Sequence, residues 1–237
     1  MFDQIYFQKI NNSRSVFYAG ADEVGRGPLA GPVVACVVAV EQKEKNEEEF
    51  FQLLMTLQDI GVIDSKKISA RKRNDILSKL EISLISDQEL EIKVSNNLKL
   101  KYSIKEISVD EIDRINILQA SLLAMKGAFE KLELIGSGIL LIDGNKKFNC
   151  NLKGEILTII QGDLKSMIIG LASIIAKQYR DQLMDKISRE FPFYDWDKNA
   201  GYGTKMHLNR IQQYGVTKYH RKTFKGVKEI YEERRII

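Results

Sequence analysis

Two adjacent acids, Asp22 and Glu23, close an apolar run of the chain, and a Gly25-Arg26-Gly27 turn follows at once. Two more acids stand in similar places: Asp143 ends the run GILLI and precedes Gly144-Asn145, and Asp163 follows ILTII and Gly162. Carboxylate oxygens without His or Cys are donors for hard cations, Mg²⁺ or Mn²⁺, rather than for zinc. Carboxylates crowd together only where a cation neutralises them. The spacing leaves two readings open: a hard-metal cluster assembled from three strand ends, or separate solvated acids at turns. Residues 20–26, GADEVGR, also spell most of a phosphate-cradling P-loop. That reading fails in detail, because Arg26 stands for the required Lys, Gly27 stands for the Ser or Thr, and two carboxylates inside the loop would repel phosphates.

Strands must carry these acids. Residues 16–21 and 32–40 read as strands joined by the glycine turn, the second so uniformly apolar that burial on both faces is expected. Neighbouring strand residues point to opposite faces, so Asp22 and Glu23 can reach one ion only where the backbone turns at a strand end. Residues 138–142 and 156–160 are two more buried strands, and 90–96 and 101–107 are candidates. Residues 69–80 read as a helix capped by Ser69. Ser108-x-x-Glu111 has the capping-box pattern ahead of one amphipathic helix reaching about Leu134. A single long helix is expected over 165–189, where Gly170, Ala172, Ser173 and Ala176 would admit a close neighbour. Residues 204–214 and 227–235 read as short helices, and the acid-rich stretch 41–49 as a solvated loop or helix start. Strands early, helices interleaved and then clustered late, predict an α/β fold with a mixed sheet and a helical C-terminal appendage.

Composition narrows the class. The chain has 237 residues, 44% hydrophobic and 29% charged, an ordinary soluble balance. Residues 198–235 carry a net charge of +7 and the remainder −3, which fits a phosphate-rich partner as well as it fits a solvated basic surface. Cys36 and Cys150 exclude a disulfide scaffold and a four-cysteine zinc site, and suit a reducing compartment. The longest apolar run, residues 33–40, is far short of a membrane span, and the N-terminus lacks a signal pattern. A cytoplasmic protein, with no membrane partner, is expected. Cys36 reads as a core residue, and His207 and His220 as solvent-facing groups or phosphate partners rather than metal ligands. Trp196, with Phe191, Phe193 and Tyr194, reads as an anchor for the C-terminal helices.

The chain resembles the ribonuclease HII family of bacteria. The resemblance rests on AGADEVGRGPLAGPVVACVV (19–38), DSKKIS (64–69), RINILQASLLAMKGA (114–128), LLIDGN (140–145), QGDLKSMIIGLASIIAKQYRDQLM (161–184), GYGTKMHLNRIQQYG (201–215) and HRKTF (220–224), in the family's order. It implies a ribonuclease H-like mixed central sheet flanked by helices, as one catalytic domain over 1–237, with about 185–237 as a basic helical substrate-binding appendage. Matched residue by residue, it implies Asp22, Glu23, Asp143 and Asp163 as catalytic metal ligands for a pair of Mg²⁺ or Mn²⁺ ions. Asp181, in Arg180-Asp181, is left as a surface or helix-packing residue. The backbone of Gly25, Arg26 and Gly27 is implied to read a ribose 2′-OH, Tyr202 to check the ribonucleotide, and Lys165 and Ser166 to lie near the substrate backbone. Lys66 is a candidate phosphate contact. Gln161 replaces the usual Lys before Gly-Asp, Asn199-Ala200 replaces a more basic pair, and residues 41–59 resemble an insertion.

The implied activity is two-metal hydrolysis on the 5′ side of a ribonucleotide, leaving 3′-OH and 5′-phosphate ends. The implied partners are RNA–DNA hybrids and duplex DNA with embedded ribonucleotides, acted on by a monomer. The competing readings are a non-catalytic duplex-binding module, for which four clustered acids beside phosphates have no use, and another ribonuclease H-like nuclease of the ribonuclease HIII type. The latter resembles a version with Gly-Lys-Gly at the turn and an added N-terminal domain.

Overall fold

The computed structural model describes residues 1–11, 15–62 and 68–233. In chain order the elements are α1 (Phe2–Gln8), β1 (Val16–Val24), β2 (Val33–Gln42), α2 (Glu47–Ile60), α3 (Ala70–Lys79), β3 (Leu90–Lys93), β4 (Leu98–Ile107), α4 (Val109–Ile115), α5 (Ile117–Lys131), β5 (Ser137–Asp143), β6 (Gly154–Ile159), α6 (Gly162–Lys165), α7 (Met167–Glu190), a 3₁₀ turn (Pro192–Tyr194), α8 (Trp196–Asn199), α9 (Lys205–Tyr214) and α10 (Lys228–Glu233). The sheet runs β3-β4-β2-β1-β5-β6. It is mixed: β1 is antiparallel to β2 and parallel to β5, and β6 is parallel to β5.

Strand pleating divides the core into two layers. Val16, Tyr18, Val34, Cys36, Val38, Val40, Ile139 and Leu141 face one layer, with α1, α2, α3 and α7. Phe17, Ala19, Ala21, Val33, Ala35, Val37, Ala39, Leu140 and Ile142 face the other, against α5. β2 serves both, which is why its sequence is apolar without alternation. A third cluster, with Trp196 at 0% exposure, packs Met184 and Ile187 of α7 against the C-terminal helices. Gly20 lets α7 close on the sheet: a Cβ there would lie 2.6 Å from the Ile169 nitrogen.

Several elements differ from the sequence reading. β1 continues through Asp22 and Glu23 rather than ending before them. The helix expected to reach Leu134 is two helices, broken at Asn116, whose φ is 69° and whose side chain caps α5. The helix expected over 165–189 is likewise divided, because Ser166 leaves helical geometry and caps α7. In each case a local side chain takes over the backbone donors that a continuous helix would have used. The acidic stretch 41–49, read as a solvated loop or a helix start, is a helix start. Asn46 caps α2 there, the three glutamates fill its first turn, and Phe50, Leu53, Leu54 and Leu57 are buried. Among the described residues no helix is long and apolar enough to cross a membrane.

Candidate active site

The parallel register of β1 and β5 pairs Ala21 with Ile142, so Asp22 and Asp143 come next on adjacent strands. Both share the parity of the residues that face α7. Asp22 is 6% exposed and accepts hydrogen bonds from Ser173 of α7 and from the Glu23 amide at 2.8 Å. Burial pushes its carboxyl well above the usual carboxylate range, and the negative charges of Glu23 and Asp143 push it further. Glu23 lies on the opposite parity. Its Oε1 is held by Arg26 at 3.2 Å, while its Oε2 is buried and, among the described residues, has no hydrogen-bond partner. Burial raises this carboxyl as well; Arg26 works against that, and Asp143 adds to it.

Asp143 accepts from the Gly162 amide at 2.6 Å. A side chain at 162 would press on that oxygen and on Ile169, so the glycine is what lets β5 and α6 meet. Asp163 follows on the same turn and is 2% exposed. Asp22, Glu23 and Asp143 are thus electrostatically coupled, and Asp163 sits on the backbone turn bonded to Asp143. These acids fit a hard divalent cation: they are oxygen donors, three repel one another, and one carries a buried oxygen with an unused lone pair. They do not form a closed cage; among the described residues no three acidic, Cys or His side chains stand ready-gathered around a point.

The glycine turn beside the acids is held from within. Arg221, at 0% exposure, donates Nε to Gly31 O at 3.0 Å, Nη1 to Arg26 O at 3.0 Å, and Nη2 to Gly25 O and Gly31 O. Arg180, at 1% exposure, donates to the carbonyls of Pro32, Ala200 and Ala30 at 3.0–3.2 Å. Burial lowers both guanidinium groups, Arg180 to about 10 and Arg221 to about 9, and Arg180 contributes to the second shift. In a trans peptide the C=O and N–H point opposite ways. With the carbonyls of Gly25 and Arg26 turned in to Arg221, the amides of Arg26 and Gly27 are turned out. Gly25 has φ +92°, and a Cβ there would meet Arg180 Nε at 2.3 Å; at Gly27 a Cβ would lie 3.3 Å from Tyr202 Cε1. Tyr202, 49% exposed, therefore lays its ring edge on the turn.

The profile of the ribonuclease HII family matches residues 19–227. A ribonuclease HII of Pelagibacter ubique is 44% identical over 213 residues, covering 90% of this chain and 97% of that protein. The chain belongs to the ribonuclease HII family. The crystal structure of ribonuclease H2 from Pyrococcus horikoshii aligns at a TM-score of 0.65 and 25% identity, over 92% of this chain and 99% of that one. Bst-RNase HIII in complex with Mn²⁺ shares the fold at a TM-score of 0.66 and 14% identity, over 94% and 71% of the two chains. Family membership makes the molecule a ribonuclease, and the mixed sheet flanked by helices is the ribonuclease H-like fold.

Not every residue matched to the family faces this site. Ser166 is 2% exposed; its hydroxyl donates to Asp3 and accepts from the Ile169 amide at 3.1 Å, so it is a helix cap rather than a substrate contact. Lys165 is exposed and bonds Ile160 O at 2.8 Å. Lys66 lies outside the described residues. Asp181 pairs with Arg73 at 2.6 Å and with Lys177, joining α3 to α7 as a packing contact. His207 and His220 are both at 0% exposure, not solvent-facing, because they pack edge-on against Trp196 and Tyr194.

Sequence reasoning missed Arg180, Arg221 and Asp3. Asp3 is buried and accepts from Tyr18 at 3.0 Å and from the Met167 amide at 2.7 Å, anchoring α1 to the α6–α7 junction. Arg180 lies in the run 161–184 and Arg221 in HRKTF, and nothing in either run marks a charged residue as buried.

Proposed function

We propose that this ribonuclease cuts a phosphodiester on the 5′ side of a ribonucleotide within a duplex, either an RNA–DNA hybrid or DNA with an embedded ribonucleotide, leaving 3′-OH and 5′-phosphate ends. The observation that carries this is the buried Oε2 of Glu23, unpartnered among the described residues, beside Asp22 and Asp143 and adjoining a glycine turn with outward amides. Asp22, Glu23, Asp143 and Asp163 would hold the metal, and a pair of Mg²⁺ or Mn²⁺ ions would supply water activation and leaving-oxygen stabilisation there. The relative solved with Mn²⁺ supports a divalent ion.

The chain's own groups do the rest. Ser173 and the Glu23 amide orient Asp22. Arg26 fixes Glu23 through Oε1 and leaves Oε2 free. The amides of Arg26 and Gly27 can donate to a hydroxyl, and Gly27 admits a sugar that a side chain would exclude. A duplex bearing 2′-OH groups presents them in a wide, shallow minor groove, where a turn and an exposed tyrosine can reach. The residues beyond about 185, which carry the chain's excess of positive charge, would neutralise phosphates.

The test is product-end analysis on a hybrid with Mg²⁺, Mn²⁺ or excess chelator. Ends of 3′-OH and 5′-phosphate, lost with chelator, are expected; 2′,3′-cyclic phosphate ends or chelator-resistant cleavage would overturn the mechanism.

A further inference from the structure

His207 and His220 lie at the centre of the third core cluster, with ring centroids 5.3 Å apart and Nε2 to Nε2 at 3.2 Å. Two buried imidazoles in contact must divide their protons, and the surrounding groups leave one way to do it. The Thr217 amide, which can only donate, sits 2.9 Å from His220 Nδ1. That nitrogen is therefore the lone-pair side, and the His220 proton is on Nε2. The Trp196 indole, also donor-only, sits 2.9 Å from His207 Nε2. His207 thus carries its proton on Nδ1. That nitrogen lies 2.9 Å from the carbonyl oxygen of Tyr202, which can only accept. Every member has a partner of the right sense: Thr217 N–H to His220, His220 Nε2–H to the shared acceptor His207 Nε2, and His207 Nδ1–H to Tyr202 O.

A charged imidazole breaks the arrangement. Protonated His220 would set N–H against the Thr217 amide N–H, leaving only the Thr217 hydroxyl at 3.0 Å as an acceptor, and protonated His207 would set N–H against the Trp196 indole N–H. Burial agrees, lowering both groups, His220 to about 3. The chain ends on a residue whose aim matters. The Tyr202 ring is half exposed with its edge toward Gly27, and the backbone that carries it fixes where the ring starts from. That backbone is held twice at one oxygen, by His207 and by the Thr204 amide at 2.8 Å. At its other end the relay is tied to the loop after the glycine turn, where His220 bridges Ala30 and the Arg221 amide donates to Leu29 O at 2.8 Å.

We propose that His207 and His220 form a neutral, tautomerically fixed hydrogen-bond relay that positions Tyr202 against the Gly25–Gly27 turn, making the pair positioning residues for recognition of the ribonucleotide. The proposal rests on the reading of Tyr202 as the group that packs on the substrate sugar. Losing the final bond of the relay leaves the acids untouched, so it weakens substrate recognition and spares the chemical step.

The first measurement is ¹⁵N–¹H correlation of the imidazoles in the intact protein at pH 7. His207 protonated on Nδ1 and His220 protonated on Nε2, both neutral, is the expected result. The opposite tautomer on either ring, or a charged ring, overturns the relay. The second compares His207→Asn, whose amide nitrogen replaces Nδ1, with His207→Gln, whose amide replaces Nε2 and leaves Tyr202 O without that donor. Folded His207→Gln should raise KM for a duplex with one ribonucleotide about ten-fold, the worth of one hydrogen bond, with kcat little changed. Asn should recover most of that loss. Equal KM for the two variants, or a fall in kcat alone, contradicts the positioning role. Tyr202→Ala is run alongside: if it keeps wild-type KM, the reading of Tyr202 fails, while the tautomers still decide the relay.

Discussion

Arg221 stands 196 residues downstream of Gly25 and donates Nη2 to that glycine's carbonyl. The contact explains how a glycine turn, flexible by composition, presents a fixed face. Among the described residues no carboxylate bonds this buried guanidinium, a costly state, and its donors are met by backbone carbonyls instead. The turn is rigid on its inner side and open on its outer side, where the amides and Tyr202 lie.

Arg221→Lys keeps a charge but loses the planar fork that spans three carbonyls. Hydrogen bonds from a charged donor contribute about 1.5–3 kcal/mol each. Lys can make one or two of them, so kcat/KM on a ribonucleotide-bearing duplex should fall at least about ten-fold, with a lower Tm. Unchanged kinetics in a folded Arg221→Lys protein would show that the clamp does not shape the turn.

Two alanine substitutions in the turn should part company. Gly25→Ala forces a positive φ and a Cβ 2.3 Å from Arg180 Nε, so it should destabilise by about 1–3 kcal/mol in thermal or denaturant unfolding. At Gly27 the nearest atom to an added Cβ is Tyr202 Cε1 at 3.3 Å, so Gly27→Ala should fold normally while losing preference for the ribonucleotide. Equal stability losses at both positions would contradict the geometry.

Asp22→Asn removes a charge from beside Glu23 and Asp143. Because the folded carboxyl is raised, this group's contribution to the metal-free fold declines as pH rises above the unfolded value of 3.8. At pH 7 the metal-free variant should therefore melt higher than the wild type; each 1 kcal/mol gained is worth about 2–4 °C in a chain of this size. Its stabilisation by Mn²⁺ should largely vanish, and cleavage with it. A metal-free Tm below that of the wild type, with the Mn²⁺ shift retained, would remove Asp22 from the metal site.

The buried imidazoles act in the other direction. His220 is lowered from 6.5 to about 3, so the unfolded chain binds a proton that the folded one refuses across that window. Stability from His220 is present above pH 6.5 and falls as pH drops below it, by about 1.4 kcal/mol per pH unit. The raised carboxyls of Asp3, Asp22 and Glu23 slope oppositely, so the comparison must be with His220→Asn. The stability difference between the two proteins should shrink from pH 6.5 to pH 4. A constant difference would mean that His220 titrates normally in the fold.

The strands, the Ser69 and Ser108 caps, the helix over 204–214 and the placement of acids at strand ends could be read from local pattern. Two features could not. Helix breaks at Asn116 and Ser166 depend on what each side chain bonds to, and Ser166 is committed to Asp3, 163 residues away. The burial of Arg180, Arg221, His207 and His220 depends on the tertiary contact between α7, the glycine loop and the C-terminal helices. Nothing in the local sequence separates such residues from a solvated basic surface. The Trp196 anchor was legible because an indole among aromatics is core chemistry wherever it lies.

A carboxylate cluster that would hold the metal and an outward glycine turn together select a ribonucleotide. The decisive measurement is cleavage-site mapping on duplex DNA with a single embedded ribonucleotide, in Mg²⁺ or Mn²⁺. A site built to bond a hydroxyl rejects the analogue lacking it, because its own polar groups are left unpaired. One cut on the 5′ side of the ribonucleotide, with all-DNA duplex inert, is the predicted result; cleavage of long hybrids with the single ribonucleotide ignored, or cleavage of all-DNA duplex, would contradict it.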